Sequence, residues 1–329
     1  MKEILNRLYQ WHSLSEVEAY DILTEISKGT YNNSEIASFL TVYNMRTIKV
    51  EELAGFRKAL IDLCLKVDFD GLETVDLCGT GGDGKNTFNI STLASFIVAG
   101  AGYKVAKHGN YGVSSVSGSS NVLEYLGYKF SNNQDVLKKQ IEDSNICFMH
   151  APLFHPALKG VGSIRRELGV KTFFNILGPL VNPSQPRQQL VGVFNLQLAS
   201  LYNSLYLNLN KNYTIVHALD GYDEVSLTGD VKVINSKGSQ IFSPTHFGLS
   251  QLNASDIFGG DTVEKAGRIF LEILELNGTK QQMEVVIANA ALAIQCFKPN
   301  TSIFDCIEEA KESLVSKRAL NSLKALIKN

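Results

Sequence analysis

Residues 74–92 read TVDLCGTGGDGKNTFNIST, and this stretch decides the fold class. After Glu73 comes an apolar run typical of a buried strand. A turn with four glycines follows, and then polar residues that can begin a helix. Glycines let the main chain approach an oxyanion closely, and the first N–H groups of a helix add partial positive charge. The stretch therefore predicts a strand, a phosphate-binding turn and a helix in succession.

Three interpretations of the glycine turn are open from these residues. The spacing Gly79-x-Gly81-x-x-Gly84 fits a dinucleotide fingerprint, but the next strand ends in AKH (residues 106–108) without the acidic residue that holds ribose hydroxyls. The spacing Gly79-x-x-x-x-Gly84-Lys85 nearly fits a nucleoside-triphosphate loop, but Asn86 stands where a magnesium-binding Ser or Thr is needed. Asp83 would repel a bare phosphate, which favours the third interpretation, a phosphorylated sugar bound with magnesium.

The remaining pattern predicts an α/β protein with a small helical domain at its start. Residues 1–66 are helical in periodicity, with a capping box at Ser15 and Glu18, a helix over Glu35–Tyr43 capped by Asn33-Ser34, and another over Val50–Leu65. Residues 67–329 alternate helices with strands, which predicts a central, mostly parallel sheet flanked by helices. We expect part of the glycine- and proline-rich segment 155–187 to join the helical domain. The predicted strands are Glu73–Cys78, Tyr103–Lys107, Ile146–His150, Gln189–Phe194 and Tyr213–Leu219.

Composition argues against several function classes. The 31 basic and 33 acidic residues give a net charge of −2, so no overall positive field would recruit nucleic acid. The five cysteines are widely spaced in apolar runs and lack a Cys-x-x-Cys pair, which indicates reduced thiols in a cytoplasmic protein and disfavours a zinc site. No signal peptide and no apolar run long enough to cross a membrane is evident, so we expect no membrane partner.

Polar side chains follow two further predicted strands. Residues 107–120, KHGNYGVSSVSGSS, combine a lysine with hydroxyls and small residues that suit a dianionic leaving group. Asp223 and Glu224 follow an apolar strand, and hard carboxylate oxygens there suit Mg²⁺, although such a pair alone is more often a solvated turn. Arg165-Arg166 fits either a carboxylate clamp or plain surface. His150 and His155 fit either ligands or structural histidines.

Taken together, these motifs resemble the anthranilate phosphoribosyltransferase family over essentially the whole chain. The shared motifs are GTGGDG (79–84), NIST (89–92), KHGN (107–110), SGS (117–119) with VLExLG (122–127), FxNxLGPL (173–180), DE (223–224) and NMR (44–46). The resemblance implies transfer of a phosphoribosyl group from phosphoribosyl pyrophosphate (PRPP) to anthranilate. It also implies a homodimer through the helical domain and an active site in the cleft between the two domains.

The resemblance also implies roles for individual residues. Ser91, Asp223 and Glu224 are expected to bind magnesium, Arg165 with Gly79 and Asn110 to bind anthranilate, and Lys107 with His108 to act in catalysis. PRPP is expected to contact the glycine turn, the start of the following helix and the segment after the next strand, namely Gly79, Gly82, Asp83, Thr87, Asn89, Ile90, Ser91, Thr92, Lys107, His108, Gly109, Asn110, Tyr111, Gly112, Val113, Ser114, Ser115 and Ser119.

Three positions depart from the family pattern. Tyr111 stands where arginine is usual, Val116 where a basic residue is frequent, and Asn121 where aspartate is usual. The changes at 111 and 116 remove positive charge near the expected diphosphate site. Two other functions remain open, a pyrimidine nucleoside phosphorylase with a similar glycine turn, and a non-catalytic relative that binds nucleic acid. The near-neutral net charge and the acidic pair disfavour the second, because binders of nucleic-acid backbones need clustered Lys and Arg.

Overall fold

The computed structural model describes residues 1–112 and 116–328, which form two compact units. The helical unit comprises residues 1–67 and 151–183, and the α/β unit comprises residues 68–150 and 184–329. The helices, in chain order, are α1 (Lys2–Tyr9), α2 (Glu16–Ser27), α3 (Asn33–Met45), α4 (Val50–Leu63), α5 (Ile90–Gly100), α6 (Ser119–Tyr125), α7 (Gln134–Ser144), α8 (Ala151–Phe154), α9 (Lys159–Leu168), α10 (Leu196–Leu207), α11 (Val263–Leu274), α12 (Lys280–Phe297), α13 (Ile303–Val315) and α14 (Arg318–Lys328).

Capping residues fix where the helices of the helical unit begin. The capping box of Ser15 and Glu18 at the start of α2 is confirmed. The expected cap of α3 was one residue late, because the Asn32 side chain accepts the Glu35 N–H and Asn33 is already helical. A stacked pair of rings, Phe56 and Phe173 at 4.6 Å, packs the first chain segment of this unit against the second.

The α/β unit contains one seven-stranded sheet of order β3-β2-β1-β4-β5-β6-β7. Strands β1 to β5 pair in parallel, while β6 and β7 pair antiparallel at one edge. The strands are β1 (Thr74–Gly79), β2 (Lys104–Gly109), β3 (Ile146–His150), β4 (Gln188–Gly192), β5 (Asn212–Ala218), β6 (Val231–Asn235) and β7 (Gly238–Phe242). The predicted fold class and the five predicted parallel strands are thereby confirmed, to within one or two residues at each end.

The hairpin of β6 and β7 was not predicted. The residues of β7 are mostly exposed and show no alternation of buried and exposed positions, so this edge strand carries no periodic signal. Helices α5 and α12 have long buried runs, and both contribute to the core that contains the residues of β1 and β2. Among the described residues, no helix is sufficiently long and apolar to cross a membrane.

The order of the strands determines which loops meet. Strand β1 lies between β2 and β4, with Gly79 opposite Gly192, and β5 follows β4. The segments after β1, β2, β4 and β5 therefore leave the same edge of the sheet, where parallel α/β folds bind ligands.

Candidate active site

The glycine turn adopts a conformation that requires its glycines. Gly81, Gly82 and Gly84 have φ angles of +63°, +79° and +73°, a region that other residues rarely adopt. Gly79 is needed for a different reason, because a β-carbon there would lie 2.4 Å from Oδ2 of Asp223. The turn is thus built around that carboxylate, and the Gly81 N–H donates to the same oxygen at 2.7 Å.

The start of α5 presents polar groups beside the turn. The Ser91 N–H donates to Oε1 of Glu224 at 3.2 Å, so the first turn of the helix contacts a carboxylate. Asn89 donates through Nδ2 to the Ser117 carbonyl at 2.9 Å. Within the described chain, Oδ1 of Asn89 and Oγ1 of Thr80 are buried without a hydrogen-bond partner. Buried oxygens of this kind are normally satisfied, so their position favours a bound ligand here.

Asp223 and Glu224 place two carboxyl groups at this edge of the sheet, in surroundings that disfavour their charged forms. Burial raises the pKa of Asp223 to about 7, and the nearby carboxylate of Asp83 contributes to that rise. Burial also raises the pKa of Glu224 well above its usual value, with Asp223 and Asp83 adding to the effect. A bound cation would favour the charged forms of this buried aspartate, the partly buried glutamate beside it and the nearby Asp83.

This donor set fits magnesium. In the part of the chain that the structure describes, no three or more His, Cys, Asp or Glu side chains are arranged to hold a metal ion by themselves. Magnesium does not need such a cage, since it is commonly held by one or two carboxylates together with water and substrate phosphates. The structure brings the Ser91 N–H against the Glu224 carboxylate, next to Asp223 in the chain.

Lys107 and His108 are buried near the C-terminal end of β2. The Lys107 side chain is buried and donates from Nζ to the Leu77 carbonyl, and burial lowers its pKa. The His108 N–H donates to Oδ1 of Asp76 at 3.2 Å. Asp76 is fully buried, and the sequence interpretation did not identify it, although an acid within an apolar strand was a usable signal.

The segment after β2 is held by a network of main-chain contacts. The Asn110 carbonyl accepts the Ser120 N–H at 3.1 Å and the Ser119 hydroxyl at 3.3 Å. Oδ1 of Asn121 accepts the N–H groups of Gly112 and Gly118, each at 2.9 Å, and so ties the two ends of this segment together. The expected ligands Val113, Ser114 and Ser115 lie outside the described residues.

Tyr111 contacts aromatic and acidic neighbours. Its hydroxyl lies 3.3 Å from Glu124, and its ring packs edge-on against His150 at 4.8 Å between centroids. His150 stacks on Phe130 at 4.4 Å and shares a hydrogen bond with Ser120. These contacts give His150 a structural environment, which was one of the two alternatives for it.

The other expected PRPP ligands occupy different environments. Thr87 forms an isolated antiparallel bridge with Phe258, and Gly82 lies within the glycine turn. Ile90 packs in the hydrophobic core, and Thr92 is buried. Gly109 lies close to Ser119, because a β-carbon at residue 109 would be 2.2 Å from the hydroxyl oxygen of Ser119.

In the helical unit, Arg165 on α9 is held in place by its neighbours. Its Nη2 donates to Oδ1 of Asn175 at 3.3 Å, and the guanidinium lies 5.3 Å from the centre of the Phe174 ring. Partial burial lowers its pKa, while the adjacent Arg166 is exposed. The residue pattern alone did not distinguish the two arginines, whereas the family resemblance implied Arg165; Asn175 is the partner that orients it.

Two family models match the chain. Residues 2–64 match the helical bundle domain of a glycosyl transferase family, and residues 71–320 match the a/b domain of that family. Among curated proteins, the anthranilate phosphoribosyltransferase of Flavobacterium psychrophilum is 58% identical over 326 residues, covering 99% of this chain and 98% of that protein. The enzyme of the same name from Cytophaga hutchinsonii is 53% identical over 328 residues and is covered completely.

Solved structures give the same family. The anthranilate phosphoribosyltransferase of Thermus thermophilus superposes with a TM-score of 0.92 at 29% identity, covering 98% of both chains. The enzyme of Saccharomyces cerevisiae, solved in complex with PRPP and Mg, has a TM-score of 0.87 at 30% identity and covers 96% of this chain and 93% of that one. With both domain models matched and curated relatives similar over their full length, the chain belongs to the anthranilate phosphoribosyltransferase family.

Proposed function

We propose that this protein transfers the 5-phosphoribosyl group of PRPP to the amine of anthranilate. The products are N-(5-phosphoribosyl)anthranilate and pyrophosphate, the second step from chorismate towards tryptophan. The observation that carries the proposal is the acidic pair of Asp223, which is buried, and Glu224, which is partly buried, held against the glycine turn and the start of α5 by main-chain N–H groups. Full-length similarity to enzymes with this activity supports it.

We assign magnesium to Ser91, Asp223 and Glu224. Magnesium bound there would neutralise charge on the diphosphate of PRPP and stabilise its departure. Gly82, Asp83, Thr87 and residues 89–92 would contact PRPP from one side, and residues 107–115 with Ser119 from the other. The buried oxygens of Thr80 and Asn89 are further groups that a ribose or phosphate could satisfy.

In the reaction, the bond between C1 of the ribose and the diphosphate oxygen breaks, and a bond from C1 to the anthranilate nitrogen forms. The ribose carries oxocarbenium character at C1 on the way. Lys107, a buried cation near Glu224, would supply fixed positive potential at this edge of the sheet. The aryl amine becomes strongly acidic once it bonds to carbon, so positioning supplies much of the rate and His108 could accept the proton.

Anthranilate would be held through its carboxylate by Arg165, with Gly79 and Asn110 as further contacts. A guanidinium can donate two parallel N–H groups to a carboxylate. Arg165 is already partly desolvated and oriented by Asn175, so little side-chain freedom is lost when it binds an anion.

We also propose a homodimer that forms through the helical unit. A mainly apolar groove of about 480 Å³ on this unit is lined by residues of α1 and α3 together with Trp11 and Arg46. Trp11 and Met45 on its rim are 69% and 72% exposed, which is unusual for large apolar side chains and suits burial by a second copy.

The free state of all five cysteines supports a cytoplasmic location.

The direct test follows anthranilate fluorescence in the presence of PRPP. We expect a loss of fluorescence that requires Mg²⁺ and stops when EDTA is added. Asp223→Asn together with Glu224→Gln should abolish it at Mg²⁺ concentrations that saturate the unaltered enzyme. No loss of fluorescence, with phosphorolysis of uridine or thymidine instead, would assign the protein as a pyrimidine nucleoside phosphorylase. Salt-sensitive binding of nucleic acid without either reaction would assign it as a non-catalytic relative.

A further inference from the structure

Asn289 on α12 holds the main chain immediately after the acidic pair. Its Oδ1 accepts the Val225 N–H at 3.1 Å, and its Nδ2 donates to the Val225 carbonyl at 2.8 Å. One side-chain amide thus binds both polar groups of a single residue, as a neighbouring strand would. Asn289 is only 3% exposed and Val225 only 1%, so water does not compete for these hydrogen bonds.

The orientation of this amide is fixed by its own helix. Nδ2 also donates to the Val285 carbonyl, one turn earlier in α12, at 2.8 Å. Both amide hydrogens and the amide oxygen therefore have partners, and turning the amide over would place its NH₂ group against the Val225 N–H. The amide is consequently a rigid connection between α12 and residue 225.

Burying the polar side chain of Asn289 in α12 is energetically unfavourable if packing is its only role. Within α12, all of which is described, the other buried residues are Val, Ile, Ala, Leu and Cys. Burying an amide in such a helix is unfavourable unless every polar atom is satisfied. An apolar residue would pack this helix more simply, but it could not hold the Val225 peptide groups.

The pair of hydrogen bonds between Asn289 and Val225, called the clamp below, lies next to the residues that would bind the metal. The Val225 N–H belongs to the peptide that joins it to Glu224, so fixing it fixes the direction in which the chain leaves Glu224. Gly192 sets the main chain of Asp223 from another side, and the Ser91 N–H holds the Glu224 carboxylate. Leu227 follows with a φ of +58°, a conformation that persists only where its surroundings determine it.

We propose that Asn289 is a positioning residue that presents Asp223 and Glu224 to magnesium and the substrate diphosphate. It contacts neither ligand and acts through the Val225 main chain. The inference rests on the proposed function, because the metal is the group whose affinity it would set. Residues that orient metal ligands typically change metal affinity or activity about 10- to 100-fold when they are replaced.

The experiment compares Asn289→Ala with Ser313→Ala. Ser313 is a matched control, because it is also fully buried in the α/β unit and also donates to a main-chain carbonyl, that of Ile97 at 2.7 Å. Thermal unfolding is measured at fixed PRPP over a Mg²⁺ titration, so that metal binding is read from the rise in Tm rather than from activity. We expect Asn289→Ala to need at least about 10-fold more Mg²⁺ for half of that rise, and Ser313→Ala to match the unaltered protein.

Steady-state kinetics give a second readout. In Asn289→Ala, we expect kcat to recover as Mg²⁺ is raised while the KM for anthranilate stays unchanged. If the Mg²⁺ requirement of Asn289→Ala equals that of Ser313→Ala, Asn289 is only a packing residue and the inference fails. If the unaltered protein shows no Mg²⁺-dependent rise in Tm with PRPP, the proposed function itself fails, which is a separate outcome.

Amide hydrogen exchange of the unaltered protein decides the matter if the variant does not fold. The clamp predicts that the Val225 amide is protected before any ligand is added. Fast exchange of Val225 without ligand, followed by protection with Mg²⁺ and PRPP, would mean that the ligands order this segment and would overturn the inference.

Discussion

Gly192 lies so close to Asp223 that a β-carbon at residue 192 would come within 1.4 Å of the Asp223 carbonyl oxygen. No side chain can be accommodated at that distance unless the main chain moves. Gly192 is the last residue of β4, and the absence of a side chain there leaves room for the main chain of Asp223.

Gly192→Ala should therefore displace Asp223. We expect kcat/KM to fall at least about 100-fold, since displacements of roughly 1 Å at a reacting centre have effects of that size. Gly229→Ala is the control, because its nearest neighbour, the Asp220 side chain, lies at an ordinary 3.6 Å. Steady-state kinetics at saturating Mg²⁺ provide the measurement, and equal activity of the two variants would contradict the expectation.

Arg165→Ala should weaken anthranilate binding selectively. Loss of a charge-assisted contact to a carboxylate is expected to raise the KM for anthranilate by about 10-fold or more, with little change in the KM for PRPP. Arg166→Ala carries the same charge change on an exposed neighbour and should leave both constants unchanged. Equal increases in both KM values for Arg165→Ala would remove Arg165 from this role.

The segment after β2 should depend on the acceptor at residue 121. Asn121→Asp keeps an oxygen for the N–H groups of Gly112 and Gly118, whereas Asn121→Leu leaves both without it. We expect the leucine variant to raise the KM for PRPP about 10-fold or more and the aspartate variant to stay near the unaltered value. The KM for PRPP of each variant should be measured from initial rates at one saturating anthranilate concentration. A normal KM in the leucine variant would show that the two contacts do not organise the PRPP site.

His155 should make the protein less stable in mild acid. Burial lowers its pKa to about 4, whereas the unfolded chain takes up this proton near pH 6.5, so stability that is present above pH 6.5 is lost as the pH falls towards 4. The loss from this group between pH 7 and pH 5 amounts to about 2 kcal/mol. Urea unfolding at both pH values should show a smaller loss in His155→Gln than in His12→Gln, whose histidine is exposed. Identical losses in the two variants would assign the acid sensitivity to other groups.

The helical unit should control the oligomeric state. Met45→Glu places a charge on the rim of the apolar groove, and we expect it to shift a dimer to a monomer in sedimentation velocity. Val17→Glu adds the same charge at an equally exposed position that does not line the groove, and it should remain dimeric. A monomeric unaltered protein would rule out the proposed homodimer.

Local sequence patterns predicted the parallel sheet well, because buried parallel strands are short apolar runs and β1 to β5 have that character. They did not predict β7, whose residues are mostly exposed and show no alternation of buried and exposed positions. The cap of α3 shifted by one residue because Asn32 and Asn33 are both plausible caps, and only the geometry selects between them.

The residues that hold the candidate site were harder to predict than those that form it. Glycines and acids at strand ends are visible in the sequence because their chemistry is local. Asn289 is separated from Val225 by 64 residues, and its side-chain amide hydrogen-bonds to main-chain atoms of Val225 and Val285, so no side-chain pattern marks the pair. Gly192 likewise resembles any glycine at the end of a strand, and its role is apparent only once β4 is placed beside β1.

The helical unit is assembled from two separate pieces of chain, and this affects how the protein is made. Residues 1–67 leave the ribosome well before residues 151–183, and all of residues 68–150 are synthesised in between. At roughly 5–20 residues per second, the delay lasts several seconds. During that time Phe56 lacks the ring of Phe173 on which it stacks in the finished protein. The nascent N-terminal helices are therefore exposed to chaperones and proteases until residue 183 has emerged, and translation speed across residues 68–183 sets the length of that exposure.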